Sequence, residues 1–449
     1  MGDGGFLPTF SRKLFGRASS GASAGNHRSD RALGEEIQRL ERAVAELSLL
    51  NELAVAMGAS ADPDEIVEKL VDRLMRAVGA EQAVVTLVDG AASDPMKTSV
   101  RVMSSSAERP HYHLNEHLLG WMYVHNKPLL VNDPRTDEQF KGFQWDESIR
   151  SIMCVPLMLQ SELIGILTIC NKKSAQGFTE DDERLLPIIA AQSAQVINNA
   201  RLSKERAGMQ EQVRLAYEIQ SNLLPKSAPD IAGYDIAGKS IPAQTVGGDY
   251  FDFMPAAGGG WALCLGDVSG KGLPASLLMA NLQATLRGQT LVEAQVRERI
   301  ERSNHLMCQS TDDERFVTLF YGVLNEDEHR INFCNAGHEM PILVSAAGEL
   351  RRLPTSGIAL GVSESLPHTE ETVPIQPGDA LVVFSDGITD ATNEKDEPFG
   401  AEALIALVRD NRKEPAAIVV ERIVEGVNRH AGEAPQMDDL TVVVVKRSA

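Results

Sequence analysis

The spacing of hydrophobic and polar positions changes along the chain and divides it into segments. Residues 1–32 have no sustained apolar period and are rich in Gly, Ser, Ala and Arg, which predicts a disordered arm. Residues 33–58 repeat apolar positions at steps of three and four, with a polar Asn51 in the series, which predicts a coiled-coil helix. An amphipathic helix packed on its own domain would show similar spacing. The repeating apolar positions are Leu33, Ile37, Leu40, Val44 and Leu47.

Residues 62–200 mix helical and strand-like patterns and predict one α+β sheet domain. An amphipathic helix opens at Asp62 and Pro63. A last helix begins after Thr179, which is a suitable N-cap, and has acidic residues in its first turn. The strand-like runs between these helices are 83–88, 99–103, 152–159 and 163–170.

Residues 201–225 continue as a helical pattern that ends at Pro225, and residues 226–449 form a second predicted domain. Strand-like runs alternate there with helical stretches, which favours antiparallel sheets covered by helices. The linker helix 201–225 is either a lever that transmits a signal between the domains or a passive spacer. The predicted strands are 261–265, 316–324, 331–335, 380–384 and 440–445, and the predicted helices are 273–286, 291–307, 401–408 and 416–427.

Length, charge and cysteine content narrow the class of protein. A chain of 449 residues holds about two or three domains. Its 63 acidic and 43 basic residues give a net charge of -20, which disfavours nucleic acid and anionic membranes as partners. The cysteines lack CxxC spacing, and no apolar run resembles a signal peptide or reaches the roughly 18 residues of a membrane span. We therefore expect a cytoplasmic protein with no membrane span and no nucleic-acid partner.

Several short segments of the first domain carry a family resemblance: Leu119-Gly120-Trp121, Val131-Asn132-Asp133, Val155-Pro156-Leu157, 164–167, and Asn171-Lys172 followed by Phe178 and Asp182-Glu183. This set resembles GAF domains, the small-molecule sensor modules of signalling proteins. Its last part is similar to the pattern of cyclic-nucleotide-binding GAF domains. Two interpretations stay open: a pocket for a cyclic nucleotide, or an ion pair between Lys172 and Asp182 that ties the last strand to the last helix.

Five short polar turns mark the second domain, and three of them place an Asp next to a glycine or at the end of an apolar run. Carboxylates about 4 Å apart repel by roughly 4 kcal/mol at an effective dielectric constant of 20, so a converging set would require cations. Oxygen donors without Cys or His favour Mg²⁺ or Mn²⁺ over structural Zn²⁺. The turns are GGDYFDF at 247–253, GDVSGKG at 266–272, NAGH at 335–338, SDGITD at 385–390 and MDDLT at 437–441.

Two of these turns contain further candidates. The GDVSGKG turn includes Ser269 and Lys271 but lacks the first glycine of a phosphate-binding P-loop, so nucleotide binding is not indicated. In the NAGH turn, His338 could protonate a leaving group or contact phosphate, or it could fix the turn by hydrogen bonding. No arginine stands in the motif set as a clamp for phosphate.

In their order along the chain, the five turns resemble the metal-dependent PPM protein phosphatases. The similarity is to the bacterial branch typified by the sporulation stage II protein E and the stress-response activators of partner-switching pathways. It implies hydrolysis of phosphoserine or phosphothreonine by a hydroxide held between two Mn²⁺ or Mg²⁺ ions. It assigns Asp249 to the first metal, largely through water, and Asp267 to both metals, with the backbone carbonyl of Val268 completing a ligand set. The residues it assigns to the second metal are Asp386 and Asp438, with Asp439 as a further candidate.

These resemblances imply an α+β chain with an N-terminal GAF sensor domain, a helical (coiled-coil) linker and a C-terminal PPM phosphatase domain of α-β-β-α sandwich form. We expect a GAF-regulated serine/threonine phosphatase that acts on a signalling phosphoprotein such as an anti-sigma-factor antagonist. The helices 33–58 and 201–225 predict a parallel homodimer. Two alternatives are a non-catalytic ligand-sensing scaffold and a phosphatase gated by a cyclic nucleotide.

Overall fold

The structure is a computed structural model that describes residues 63–87, 99–101, 116–140, 145, 147–311 and 315–448. The predicted disordered arm 1–32 and the predicted coiled-coil helix 33–58 lie outside these residues. The chain divides into two compact units between Ala207 and Gly208. Within the described parts of the chain, no helix has both the length and the apolar character needed to cross a membrane.

The first unit is a five-stranded antiparallel sheet with helices on both faces. Its strands lie in the order β2-β1-β5-β4-β3, and all neighbouring strands pair antiparallel. The elements are α1 (Pro63–Val78), β1 (Ala80–Leu87), β2 (Ser99–Arg101), α2 (Glu116–His125), β3 (Leu129–Val131), β4 (Ile152–Leu159), β5 (Glu162–Lys172) and α3 (Glu180–Leu223), with a short 3₁₀ helix at Glu138–Phe140.

Each face of this sheet packs against its own helices. The apolar side of α1, which includes Val67, Val71 and Leu74 at helical spacing, lies with the early turns of α3 on one face. The buried side of α2 covers the other face and contributes Leu118 and Met122. The sheet is therefore buried on both sides, which explains the nearly unbroken apolar runs of β4 and β5.

Helix α3 is longer than the sequence indicated. The last helix of the first predicted domain and the predicted linker helix form one continuous helix of 44 residues, Glu180–Leu223. It begins where predicted, because the Asp182 carboxylate accepts a hydrogen bond from the Thr179 N–H (2.8 Å) and the Thr179 hydroxyl accepts one from the Asp182 N–H (3.4 Å).

The second unit contains two five-stranded antiparallel sheets, ordered β13-β10-β9-β8-β7 and β12-β11-β14-β15-β6. Its strands are β6 (Tyr234–Ile241), β7 (Tyr250–Pro255), β8 (Trp261–Val268), β9 (Val317–Asn325), β10 (Arg330–Ala336), β11 (Ile342–Val344), β12 (Leu350–Arg352), β13 (Glu371–Pro374), β14 (Ala380–Phe384) and β15 (Leu440–Arg447). Its helices are α4 (Leu273–Thr290), α5 (Val296–Cys308), α6 (Asp386–Thr389), α7 (Gly400–Asp410) and α8 (Ala416–Ala431).

Three layers of buried side chains hold the second unit together. Large residues of both sheets, such as Phe320, Phe333 and Val443, meet between the sheets. Helices α4 and α5 cover the outer face of the β7–β10 sheet, and α7 and α8 cover the outer face of the sheet that contains β14 and β15. The order of layers is thus helix, sheet, sheet, helix, as the family resemblance implies.

In the first unit, Lys172 and Asp182 form a close ion pair between β5 and the first turn of α3. The Lys172 Nζ atom lies 2.5 Å from Asp182 Oδ2 and 2.6 Å from Oδ1, and the two side chains are 13% and 10% exposed. The Asp182 carboxylate also accepts hydrogen bonds from the N–H and the hydroxyl group of Thr179. This geometry matches the second interpretation of the motif, in which the pair ties strand to helix.

We expect the substitution Lys172→Met to destabilise the first unit by roughly 3 kcal/mol, because it leaves the Asp182 carboxylate without its cation in a largely dry position. The neighbouring Lys173 is exposed, and Lys173→Met should change stability by less than about 0.5 kcal/mol. Thermal or urea unfolding of the two variants measures this difference. Equal stability of the two variants would contradict a structural role for the pair.

Candidate metal centre

The predicted acidic ligands come from the ends of adjacent strands in both sheets of the second unit. Asp249 directly precedes β7, and Asp267 is the second-last residue of β8, the neighbour of β7. Asp386 is the first residue of α6 after β14, while Asp438 and Asp439 directly precede β15, the neighbour of β14. The charges of Asp386, Asp438 and Asp439 all act on Asp267. The two sheets therefore contribute to one cluster of carboxylates.

Asp439 fixes the turn that carries Asp249. Its Oδ2 atom accepts hydrogen bonds from the N–H groups of Gly248 (2.7 Å) and Asp249 (3.2 Å), and its Oδ1 atom accepts one from Ala243 (2.7 Å). A Cβ atom on Gly247 would stand 2.3 Å from Asp439 Oδ2, so this approach requires glycine. Both oxygens of Asp439, a candidate metal ligand by family resemblance, are thus engaged by backbone N–H groups.

Val268, the other backbone-based candidate, lies against the same turn. Its side chain is buried in the core beneath α4, and a Cβ atom on Gly248 would stand 2.8 Å from the Val268 carbonyl oxygen. The two glycines of the GGD turn therefore allow the turn to approach both the Val268 carbonyl and the Asp439 carboxylate. This contact places the carbonyl of Val268 next to the residue that precedes Asp249.

Asp249 is the most deeply buried acid of the cluster. Its side chain is almost inaccessible, and its Oδ2 atom has no hydrogen-bond partner. Burial raises the pKa of Asp249 well above its usual range, and the charges of Asp267 and Asp439 raise it further. The hydroxyl groups of Thr441 and Ser385 lower the pKa of Asp249, but they offset only part of this effect.

The carboxyl pKa values of Asp267 and Asp386 are also raised. Burial raises the pKa of Asp267 to about 7, with further contributions from the charges of Asp386, Asp438 and Asp439 and a partial offset from a hydrogen bond with Asp249. The pKa of Asp386 is raised by burial and by the charge of Asp438, while the charge of Lys271 lowers it. At neutral pH the cluster thus holds more negative charge than its surroundings stabilise.

These residues fit a divalent cation. The unpartnered Asp249 Oδ2 atom is a buried acceptor, and the candidate donors are all oxygen atoms, which suit Mn²⁺ or Mg²⁺. Within the described residues, no three His, Cys, Asp or Glu side chains lie close enough together to form a ready-made metal site.

His338 of the NAGH turn is buried and hydrogen-bonded, although its Nε2 atom has no partner. The His338 side chain is 4% exposed, and its Nδ1 atom lies 2.9 Å from the Thr318 hydroxyl. The backbone N–H of His338 donates to Asn335 Oδ1 (2.8 Å). Burial lowers the pKa of His338 to about 4, so the imidazole is neutral at physiological pH. The Nδ1 and backbone hydrogen bonds fit the interpretation in which His338 fixes the turn, and the role of its unpartnered Nε2 atom stays open.

Asp252 of the GGDYFDF turn does not join the acids at the cluster. Its buried carboxylate accepts hydrogen bonds from the Tyr250 hydroxyl (2.6 Å) and from Arg287 Nε on α4 (2.7 Å). The pair ties β7 to α4 and stabilises the scaffold beneath the turn.

Gln220 contributes to the site, although the sequence pattern did not indicate it. Gln220, in the last turn of α3, donates from Nε2 to the Gly247 carbonyl (2.7 Å) and accepts the Gly247 N–H at Oε1 (3.1 Å). Its side chain is buried although most of its neighbours on α3 are exposed. Its position on the apolar side of a helical pattern could have indicated this contact, because a polar residue that is buried there must find a hydrogen-bond partner.

Comparison with known proteins agrees with this architecture. Residues 60–198 match the family model of the GAF domain, and residues 257–448 match that of the stage II sporulation protein E (SpoIIE). The chain therefore combines a GAF domain with a SpoIIE-type PPM phosphatase domain. The second match includes Asp267, Asp386 and Asp438, while Asp249 lies before it.

The chain is similar over long stretches to two curated proteins. It is 27% identical to "Protein IcfG" of Synechocystis over 357 residues, which are 73% of this chain and 53% of the relative. It is 26% identical to "Phosphoserine phosphatase RsbU" of Bacillus subtilis over 240 residues, 53% of this chain and 71% of the relative. This chain thus spans about half the length of the first relative. Among solved structures, the SiaA-PP2C domain of Pseudomonas aeruginosa covers 55% of this chain and 99% of its own, with 21% identity and a TM-score of 0.49.

We expect the Mn²⁺ affinity of the protein to rise with pH between about 5.5 and 7, because protons on Asp249 and Asp267 compete with the metal. The raised carboxyl pKa of Asp267, about 7, means that a proton competes with the metal below that pH. For one displaced proton, the apparent affinity should change about tenfold per pH unit below pH 7. Calorimetric titrations with Mn²⁺ between pH 5.5 and 8, in buffers of different ionisation enthalpy, measure both quantities. A pH-independent affinity without proton release would contradict these protonation states.

We expect the substitution Gln220→Ala to loosen the GGD turn, because it leaves the buried N–H and carbonyl of Gly247 without partners at a cost of about 1–3 kcal/mol. Mn²⁺ affinity should then fall, since Asp249 follows this turn. Gln210→Ala, at an exposed position of the same helix, is the matched control. Equal Mn²⁺ affinity in both variants would show that the contact does not support the site.

Proposed function

We propose that this protein is a metal-dependent serine/threonine protein phosphatase regulated by its GAF domain. The observation that carries the proposal is the cluster of carboxylates at the ends of both sheets, in which the buried Asp249 Oδ2 atom lacks a partner. Such a cluster stabilises the fold only if cations or protons neutralise it. The match of residues 257–448 to the SpoIIE family supports phosphatase chemistry at this cluster.

Asp267, Asp386 and Asp438 would hold two Mn²⁺ or Mg²⁺ ions, with Asp249 supporting one of them and the Val268 carbonyl completing the set. When bound, such ions activate water for attack on a phosphate ester at neutral pH. Other residues of the chain would hold the site in position. The Asp439 carboxylate and the GGD turn hold Asp249 in place, and the neutral His338 joins the NAGH turn to Thr318 on β9.

For the substrate, we propose a phosphoserine or phosphothreonine on a signalling protein of the anti-sigma-factor antagonist kind, in the cytoplasm. The relative RsbU is named a phosphoserine phosphatase, and the two share similarity over 71% of that relative's length. A non-catalytic scaffold is the less favoured alternative, because a decayed site would have lost an acid and Asp267, Asp386 and Asp438 are all present.

Regulation would pass along helix α3. This helix starts directly after the GAF sheet and ends in the turn that bears Gln220, whose side chain holds Gly247. A shift or rotation of the helix would change that contact and so the position of Asp249. Exposed apolar residues on α3, such as Met209 and Ile219, support a homodimer formed through this helix. The signal would be a small molecule bound by the GAF domain. We do not assign it to a cyclic nucleotide, because Lys172 and Asp182 bind each other.

We expect Asp267→Asn and Asp386→Asn each to lower phosphopeptide hydrolysis in Mn²⁺ by at least about a hundredfold, since each removes a charged metal ligand. The metal-free variants should melt no lower than wild type, because each substitution removes a repelling charge from the cluster. Asp327→Asn, on an exposed turn, is the matched control for both assays. Unchanged turnover in either cluster variant would refute the assignment of the site.

A further inference from the structure

Lys271 lies at the carboxylate cluster although neither the metal assignment nor the scaffold requires it. It belongs to the loop between β8 and α4, and its Nζ atom lies 3.1 Å from Asp438 Oδ2 and also donates a hydrogen bond to the Met437 carbonyl. The base of the loop is fixed, because Ser269 exchanges two hydrogen bonds of 3.0 Å with the backbone of Phe316.

The setting of this ammonium group differs from that of a structural ion pair. The Lys271 and Asp438 side chains are 42% and 43% exposed, in contrast to the closely packed Lys172 and Asp182. Among the described residues, Lys271 is also the one cation that forms an ion pair with a candidate metal ligand. Its charge reaches Asp386 as well. A solvent-accessible cation therefore lies at the rim of the proposed reaction site.

We propose that Lys271 binds the phosphoryl group of the substrate, and that Asp438 is only its partner in the metal-free protein. The inference rests on the proposed function. A divalent cation on Asp438 would carry the same sign of charge as the ammonium group, so the two would compete for this carboxylate and the weaker cation would leave. The released ammonium remains beside the cluster on a flexible stem, and lysine is a common point-charge ligand for phosphate.

This role would give the substrate phosphate a positively charged side chain, which no arginine of the five turns provides. A dianionic phosphoryl group approaching a rim of carboxylates needs a nearby positive charge besides the metal ions. Lys271 meets this need from a loop whose base is held by Ser269 and whose lysine side chain is partly exposed to solvent. Binding of the phosphoryl group, rather than activation of water, is the step in which it takes part.

The test compares wild type, Lys271→Met and Lys271→Arg in the full-length protein by calorimetry. Each protein is first titrated with Mn²⁺ and then, when loaded, with inorganic phosphate. Lys239 pairs with Glu421 on the surface of the same unit, so Lys239→Met is the matched control for loss of a lysine charge. The KM for a phosphopeptide, measured beside kcat, gives a second readout.

We expect Lys271→Met to weaken phosphate binding by about tenfold or more, as is usual for the loss of a charged hydrogen bond, and to raise KM more than it lowers kcat. Its Mn²⁺ affinity should equal or exceed that of wild type, because a competing cation is gone. Lys271→Arg should retain most of the phosphate affinity, and Lys239→Met should retain all of it.

Two contrary outcomes are distinguishable. Equal phosphate affinity in wild type and Lys271→Met, with Mn²⁺ bound to both, would overturn the role of Lys271 and leave it a partner of Asp438 alone. Failure of wild type to bind Mn²⁺ would overturn the proposed metal centre and this inference with it.

Discussion

Repulsion between carboxylates at one end of the two sheets is the constraint on which the second unit depends. Asp249, Asp267 and Asp386 all have a raised pKa, and in each case burial is the main cause and a neighbouring carboxylate the next. A fold gains nothing from such a cluster by itself, because every charge in it would be more stable in water. The cluster is therefore best explained as the proposed cation site.

The surrounding structure holds the acids in place against this repulsion. Both carboxylate oxygens of Asp439 accept hydrogen bonds from backbone N–H groups and so fix the turn before β7. Arg287 neutralises the buried Asp252, and the layer of large side chains between the sheets keeps their strand ends in register. The acids lie at the ends of strands, whereas two of the groups that contact the cluster or its turns lie elsewhere, Lys271 on a loop and Gln220 at the end of α3. Such a division suits a site that must be both preorganised and regulated.

The sequence predicted the parts of this picture that local patterns encode. Acids beside glycine at the ends of apolar runs located the strand ends, and the N-cap at Thr179 located the start of α3. In the second unit, the strands β6, β7, β11, β12 and β13 were not predicted. Three or four residues carry no period, β6 is mostly half-buried, and most of β7 lies in the GGDYFDF segment that was interpreted as a turn. The contacts of Asp439, Lys271 and Gln220 join residues far apart in the chain, so only the folded structure could reveal them.

The most direct test of the account is anomalous diffraction from crystals of the protein grown with Mn²⁺. We expect two anomalous peaks, each within about 2.0–2.6 Å of a carboxylate oxygen of the cluster, with Asp267 in contact with both. Lys271 Nζ should then have left Asp438. Crystals that show no peak at these residues, or Mn²⁺ bound elsewhere while the carboxylates keep their metal-free arrangement, would contradict the central claim that cations resolve the repulsion.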